Sequence, residues 1–89
     1  MTTIRIPPVL RPDTAHQPEV EVSGTTTREV LGALVSRFPG LDGRIVDNGS
    51  VQPFLNIYID GINIRELRNL DTPVEPDSTL VLLPAMAGG

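Results

Sequence analysis

Thr26-Thr-Arg-Glu-Val-Leu-Gly-Ala-Leu-Val-Ser-Arg-Phe38 decides the fold, because it holds the one long helical period in the chain. Thr26 and Glu29 have the S/T-x-x-E spacing of a capping box, in which each side chain satisfies a free backbone N–H near the helix start. Val30, Leu31, Leu34, Val35 and Phe38 fall on one stripe at helical period, and Pro39-Gly40 stops it. Upstream, Ile4-Arg-Ile6 alternates and then meets Pro7-Pro8, which predicts a first strand over about residues 3–10, pushed by its prolines toward a sheet edge or a bulge. Asp13 to Pro18 reads as a polar turn. Glu19-Val-Glu-Val-Ser23 alternates strictly and predicts a second strand, paired with the first as a hairpin.

Downstream, residues 41–47 are expected to add a short second turn of helix, with Asn48-Gly-Ser as a loop. Phe54-Leu-Asn-Ile-Tyr-Ile-Asp60 predicts a third strand, with Leu55, Ile57 and Ile59 on one face and Phe54, Asn56 and Tyr58 on the other. Asp60-Gly61 suits a tight hairpin leading to a short fourth strand at residues 62–64. Residues 65–76 read as irregular with one 3₁₀ turn near Asn69-Leu70, and Thr79 to Leu83 is the last strand. One amphipathic helix covers one face of one sheet, so the fold class is α+β. The order matches a β-grasp, or ubiquitin-like, roll: a mixed sheet of four to five strands packed on one main helix. In that roll the first and last strands are parallel neighbours at the centre. The expected division is a domain over 1–84 and a tail over 85–89.

Composition narrows the function. Eighty-nine residues with 39% apolar content make one globular domain without room for a deep enzyme cleft. The net charge of −4 argues against a nucleic-acid partner. The chain has no cysteine, which removes disulfides, thiolate ligands and a cysteine nucleophile. All seven basic residues are arginine, so no side-chain amine is available for self-conjugation. No apolar run approaches the ~20 residues of a bilayer span, and no signal-peptide pattern follows Met1. The expected setting is cytoplasmic, with no membrane partner.

The end of the sequence is the most specific chemical feature. Gly88-Gly89 follows the apolar strand and the short segment Ala85, Met86 and Ala87. Glycine lacks a Cβ, so such an end can thread a narrow channel and deliver a carboxylate to chemistry in another protein. Five extended residues span roughly 17 Å, enough to cross the wall of an active site. On the dipeptide alone, an ordinary frayed terminus is the simpler reading.

With the strand order and the tail in place, the chain resembles the ubiquitin-like sulfur-carrier family of ThiS and MoaD, and most of all its CysO-type members. The likeness rests on Ile4-Arg-Ile-Pro-Pro-Val-Leu-Arg-Pro12, on Phe54 to Asp60, and on Leu82-Leu-Pro-Ala-Met-Ala-Gly-Gly89. Met86 stands where many relatives carry valine. The resemblance implies a carrier rather than an enzyme, with no permanently bound cofactor. An E1-like activating enzyme of the MoeB, ThiF or MoeZ type would use ATP and Mg²⁺ to adenylate the Gly89 carboxylate. A sulfur donor would then replace AMP and leave a thiocarboxylate, which passes sulfur to an accepting biosynthetic enzyme. A metalloprotease or hydrolase acting on the adduct is a further implied partner. The same tail also fits a ubiquitin-like modifier joined through Gly89, the small subunit of a molybdopterin synthase, or a β-grasp interaction module with an accidental Gly-Gly end.

The remaining candidates are weak. His16 is the only histidine and lies in a polar turn with no second metal ligand in view. Ser23, Ser36, Ser50 and Ser78 lack an adjacent base pattern. Glu19 and Glu21 read as the solvent face of strand two. Val81 and Leu83 are different, since the last strand is apolar at each position from Leu80 to Leu83. If Leu80 and Leu82 face the helix, then Val81 and Leu83 point to the bare face beside Tyr58 and Pro7. That face is either a docking patch, as the resemblance implies, or one side of a strand buried on both faces.

Overall fold

The computed structural model describes residues 1–85. Strand β1 (Thr2–Arg5) pairs antiparallel with β2 (Glu19–Val22), and α1 (Thr27–Arg37) follows. A small ribbon comes next, β3 (Val46–Asp47) with β4 (Ser50–Val51). Then β5 (Leu55–Ile59) turns into β6 (Ile62–Asn63), and β7 (Thr79–Pro84) returns through the middle of the sheet. The five-stranded order is β2-β1-β7-β5-β6, mixed because β1 and β7 run parallel while the other neighbours are antiparallel. This is the β-grasp roll that the single helical crossover predicts.

Helix α1 begins as its sequence requires. The Thr26 Oγ1 accepts from the Glu29 N–H at 3.2 Å. The Glu29 carboxylate reaches back one residue further than a simple box, to the N–H and hydroxyl of Thr25, both at 2.9 Å. These bonds satisfy donors that a helix start leaves free. Val30, Leu31 and Leu34 face inward and are buried, with Val35 and Phe38 packed at the margin. Opposite them lie Ile4, Val20, Val22, Leu55, Ile57, Ile59, Leu80 and Leu82. Thr27 is wholly buried on the same side, its hydroxyl donating to the Thr72 carbonyl at 3.0 Å. Among the described residues no buried side-chain nitrogen or oxygen lacks a hydrogen-bond partner, as burial demands.

Three segments depart from the sequence reading. The first strand stops at Arg5, because Pro7 and Pro8 have no N–H with which to continue a ladder. Residues Pro8–Thr14 instead form a 3₁₀ helix, for which a proline φ near −65° is already suited. Strand β1 is thereby an inner strand, flanked on both sides, and not an edge. Residues 41–47 are not a second helical turn. A 3₁₀ turn ends at Leu41, and the chain then enters the β3–β4 ribbon across Asn48-Gly49. Both of those residues have positive φ, as the two-residue primed hairpin requires. The fourth strand is Ile62–Asn63 alone, since Ile64 opens a 3₁₀ turn capped by Asn63.

Candidate functional site

Strand β7 is the backbone of the site. Leu80 and Leu82 point into the core and are buried, while Val81 is half-buried and Leu83 is 44% exposed on the opposite face. The strand is therefore apolar on two faces but covered on one. Register fixes the neighbours: Val81 lies between Arg5 of β1 and Tyr58 of β5, and Leu83 lies beside Asn56. Tyr58 is half-buried next to Val81. The structure thus brings Val81, Leu83 and Tyr58 together.

Pro7 has a different role. It is buried and walls a shallow groove of about 280 Å³ shared with Arg5, Arg11, Val81, Leu83 and Pro84. The bare face is consequently a small apolar centre and not a broad patch. Around it stand Arg5, Asn56 and Asn63, with Glu19 and Glu21 further along the sheet. Arg5 approaches Glu19 at 3.7 Å, a loose pair with both side chains more than half exposed, so it contributes little to stability.

The root of the tail is held by the sheet. Leu55 pairs with Pro84, and the Ala85 N–H donates to the Phe54 carbonyl. Ala85, which the sequence groups with the tail, continues the line of β7. Phe54 itself is 51% exposed at this point. Met86, Ala87, Gly88 and Gly89 lie outside the described residues.

Sequence reasoning passed over four residues here: Phe54, Arg5, Arg11 and Arg65. Arg65 donates to the Asn56 side-chain oxygen at 2.7 Å and to the Leu55 carbonyl, which places its guanidinium beside Leu83's cross-strand partner. The alternation of Ile4-Arg-Ile6 could have put Arg5 on the bare face. Arg65 is brought there by a tight turn and has no such signal.

The other candidates are structural or plainly exposed. His16 is exposed in a turn with φ of 61°. Ser78 is buried, and its hydroxyl accepts from the Glu75 N–H. Ser23, Ser36 and Ser50 are exposed, and Glu19 and Glu21 are on the solvent side of β2. Among the described residues there is no group of three or more His, Asp or Glu side chains able to hold a metal. No helix among them is long and apolar enough to cross a membrane.

Comparison with known proteins places this geometry. The family model described as "ThiS family" matches residues 5–89. The sulfur carrier protein CysO of Mycobacterium tuberculosis is 34% identical over 90 residues, covering 98% of this chain and 97% of its own length. A chain of the Amycolatopsis orientalis BexX/CysO complex superposes with a TM-score of 0.94 at 34% identity, over the full length of both chains. Small archaeal modifier protein 1 of Methanosarcina acetivorans superposes with a TM-score of 0.86 at 28% identity, over 99% of this chain and 95% of its own.

Proposed function

The chain belongs to the ThiS family, and on that premise we propose that it is a sulfur carrier whose Gly89 carboxylate is the reacting group. The observation that supports this most is the near-full-length likeness to CysO sulfur carriers, which runs through the β7 end. A carboxylate is a poor electrophile. An E1-like enzyme using ATP and Mg²⁺ would convert it to an acyl-adenylate with release of pyrophosphate. Sulfide would then attack the acyl carbon and expel AMP, leaving a thiocarboxylate for an accepting enzyme. The carrier supplies no catalytic group to these steps.

The division of labour follows from the tail root. With Ala85 tied to Phe54, the residues left to enter a partner are 86–89, which fully extended span at most roughly 14 Å. The body must therefore seat closely, and Val81, Leu83 and Tyr58, with the groove walled by Pro7, are the surface that does so. Gly88 lets the backbone pass where a Cβ would collide.

The test is ATP–pyrophosphate exchange and intact mass with the cognate activating enzyme. The parent chain should gain the mass of one oxygen-to-sulfur replacement. Deletion of Gly89, or Gly88→Ala with Gly89→Ala, should abolish it while the melting curve stays put. Equal thiolation of the truncated chain would sink the reading. A second reading, a modifier conjugated through Gly89, is favoured by the likeness to the small archaeal modifier protein. It would appear as isopeptide-linked adducts on other proteins.

A further inference from the structure

We infer that the activating enzyme meets this chain with an apolar socket rimmed by carboxylates, because the face around the tail root is an apolar centre set among arginines. The inference rests on the carrier reading above and specifies the partner's surface. Leu83 and Val81 form the centre, with Arg5 and Arg11 on the β1 side of the groove and Arg65 on the β5 side. Two of these side chains are not free to drift. The Arg11 Nε donates to the Ile6 carbonyl at 3.1 Å, and Arg65 is held by Asn56 and the Leu55 carbonyl. Each bond ties the guanidinium to a neutral acceptor and leaves its charge uncompensated. Among the described residues neither Arg11 nor Arg65 has a carboxylate within ion-pair distance, whereas Arg28 and Arg44 are paired at 3.0 Å.

The chain as a whole carries −4, yet of the three arginines around the tail root only Arg5 has a carboxylate within ion-pair distance among the described residues, Glu19 at 3.7 Å. The end where β7 begins holds Asp60, in the β5–β6 turn, together with Glu75 and Asp77 just ahead of the strand. Guanidinium groups without a carboxylate partner beside the tail root complement an acidic surface at that point. Such complementarity acts mainly on the rate of encounter and on orientation. In a chain of net negative charge, cations gathered where the reactive end departs select an acidic partner at that point.

Affinity of the full chain for its activating enzyme should be measured without ATP at several salt concentrations, with thiocarboxylate formation followed separately by mass. Arg11→Glu and Arg65→Glu should each raise Kd about tenfold, chiefly by slowing association, and flatten its salt dependence. Arg28→Glu changes net charge equally on the helical side and should leave Kd within about twofold. Circular dichroism melts confirm that each variant is folded. Equal weakening by Arg28→Glu, or salt-independent binding of the parent, overturns the inference. So does arginine-dependent binding of duplex DNA, or head-to-tail self-association that Arg11→Glu abolishes. If the parent is thiolated while the two reversals bind as it does, the rim is wrong and the carrier reading stands. If the parent is never thiolated, the carrier reading fails by its own measurement.

Discussion

Leu34 has no exposed surface, enclosed between α1 and the sheet. Leu34→Ala should cost about 2–5 kcal/mol through lost transfer energy and the cavity left behind, read as a lower midpoint in denaturant. Gly24 is constrained from the opposite direction. A Cβ there would lie 2.8 Å from Val30 Cγ1 and 3.0 Å from the Val30 backbone nitrogen. The backbone atom cannot yield without disturbing the first turn of α1, so Gly24→Ala should lower the melting temperature although it adds one methyl group. Glu29 brings pH into the same turn. The Thr25 N–H, and then the Thr25 hydroxyl, favour its charged form and hold its pKa below the ordinary glutamate value. A folded-state pKa that is depressed gives stability present above the unfolded value and lost as pH falls through the folded one. Melts taken downward from a pH of about 4.5 should therefore fall less steeply for Glu29→Gln than for the parent.

At the scale of elements, α1 depends on its first turn. Thr26→Ala removes the acceptor for the Glu29 N–H and should cost about 0.5–2 kcal/mol, measured against Thr26→Ser as the variant that keeps the oxygen. The helix was legible because its signals agree: cap, apolar stripe and Pro39-Gly40 stop all name the same span. Strand β5 was legible for a similar reason, with three alternating apolar residues and an Asp60-Gly61 turn whose residues both adopt positive φ. The β3–β4 ribbon was not. Its strands are two residues long with one apolar residue each, Val46 and Val51, too short for a period-2 pattern to stand out. The Pro8–Thr14 segment misled for another reason. Proline excludes both helix interiors and ladders, and local sequence alone does not say which alternative follows. Its buried residues, Leu10 and Thr14, are fixed by tertiary packing. The site divides along the same line. Val81, Leu83 and Tyr58 follow from strand parity, whereas the arginines are assembled from a 3₁₀ helix, an inner strand and a turn that no single stretch of sequence announces.

At the scale of the whole molecule, the placement of β7 between β1 and β5 sets the body, the tail root and the charged end in one fixed relation. The parallel pairing of β1 with β7 also determines how the protein bears mechanical load. Thr3, Ile4 and Arg5 lie beside Thr79, Leu80 and Val81, and the two strands run the same way. Tension applied between Met1 and Ala85 pulls these neighbours past each other, so the evenly spaced bonds of the parallel pair are loaded in shear together. Tension between Met1 and Ser23 acts on the antiparallel β1–β2 hairpin from its open end, and there the bonds break in succession. The chain lacks cysteine, so thiol handles can be placed without interference. In single-molecule pulling, Met1→Cys with Ala85→Cys should rupture at a markedly higher force than Met1→Cys with Ser23→Cys, and equal forces would show that the central pair does not carry the load. A partner that drags on the tail of a body held at its start would thus load the bonds of the central pair together, and the body would stay intact while its end is worked upon.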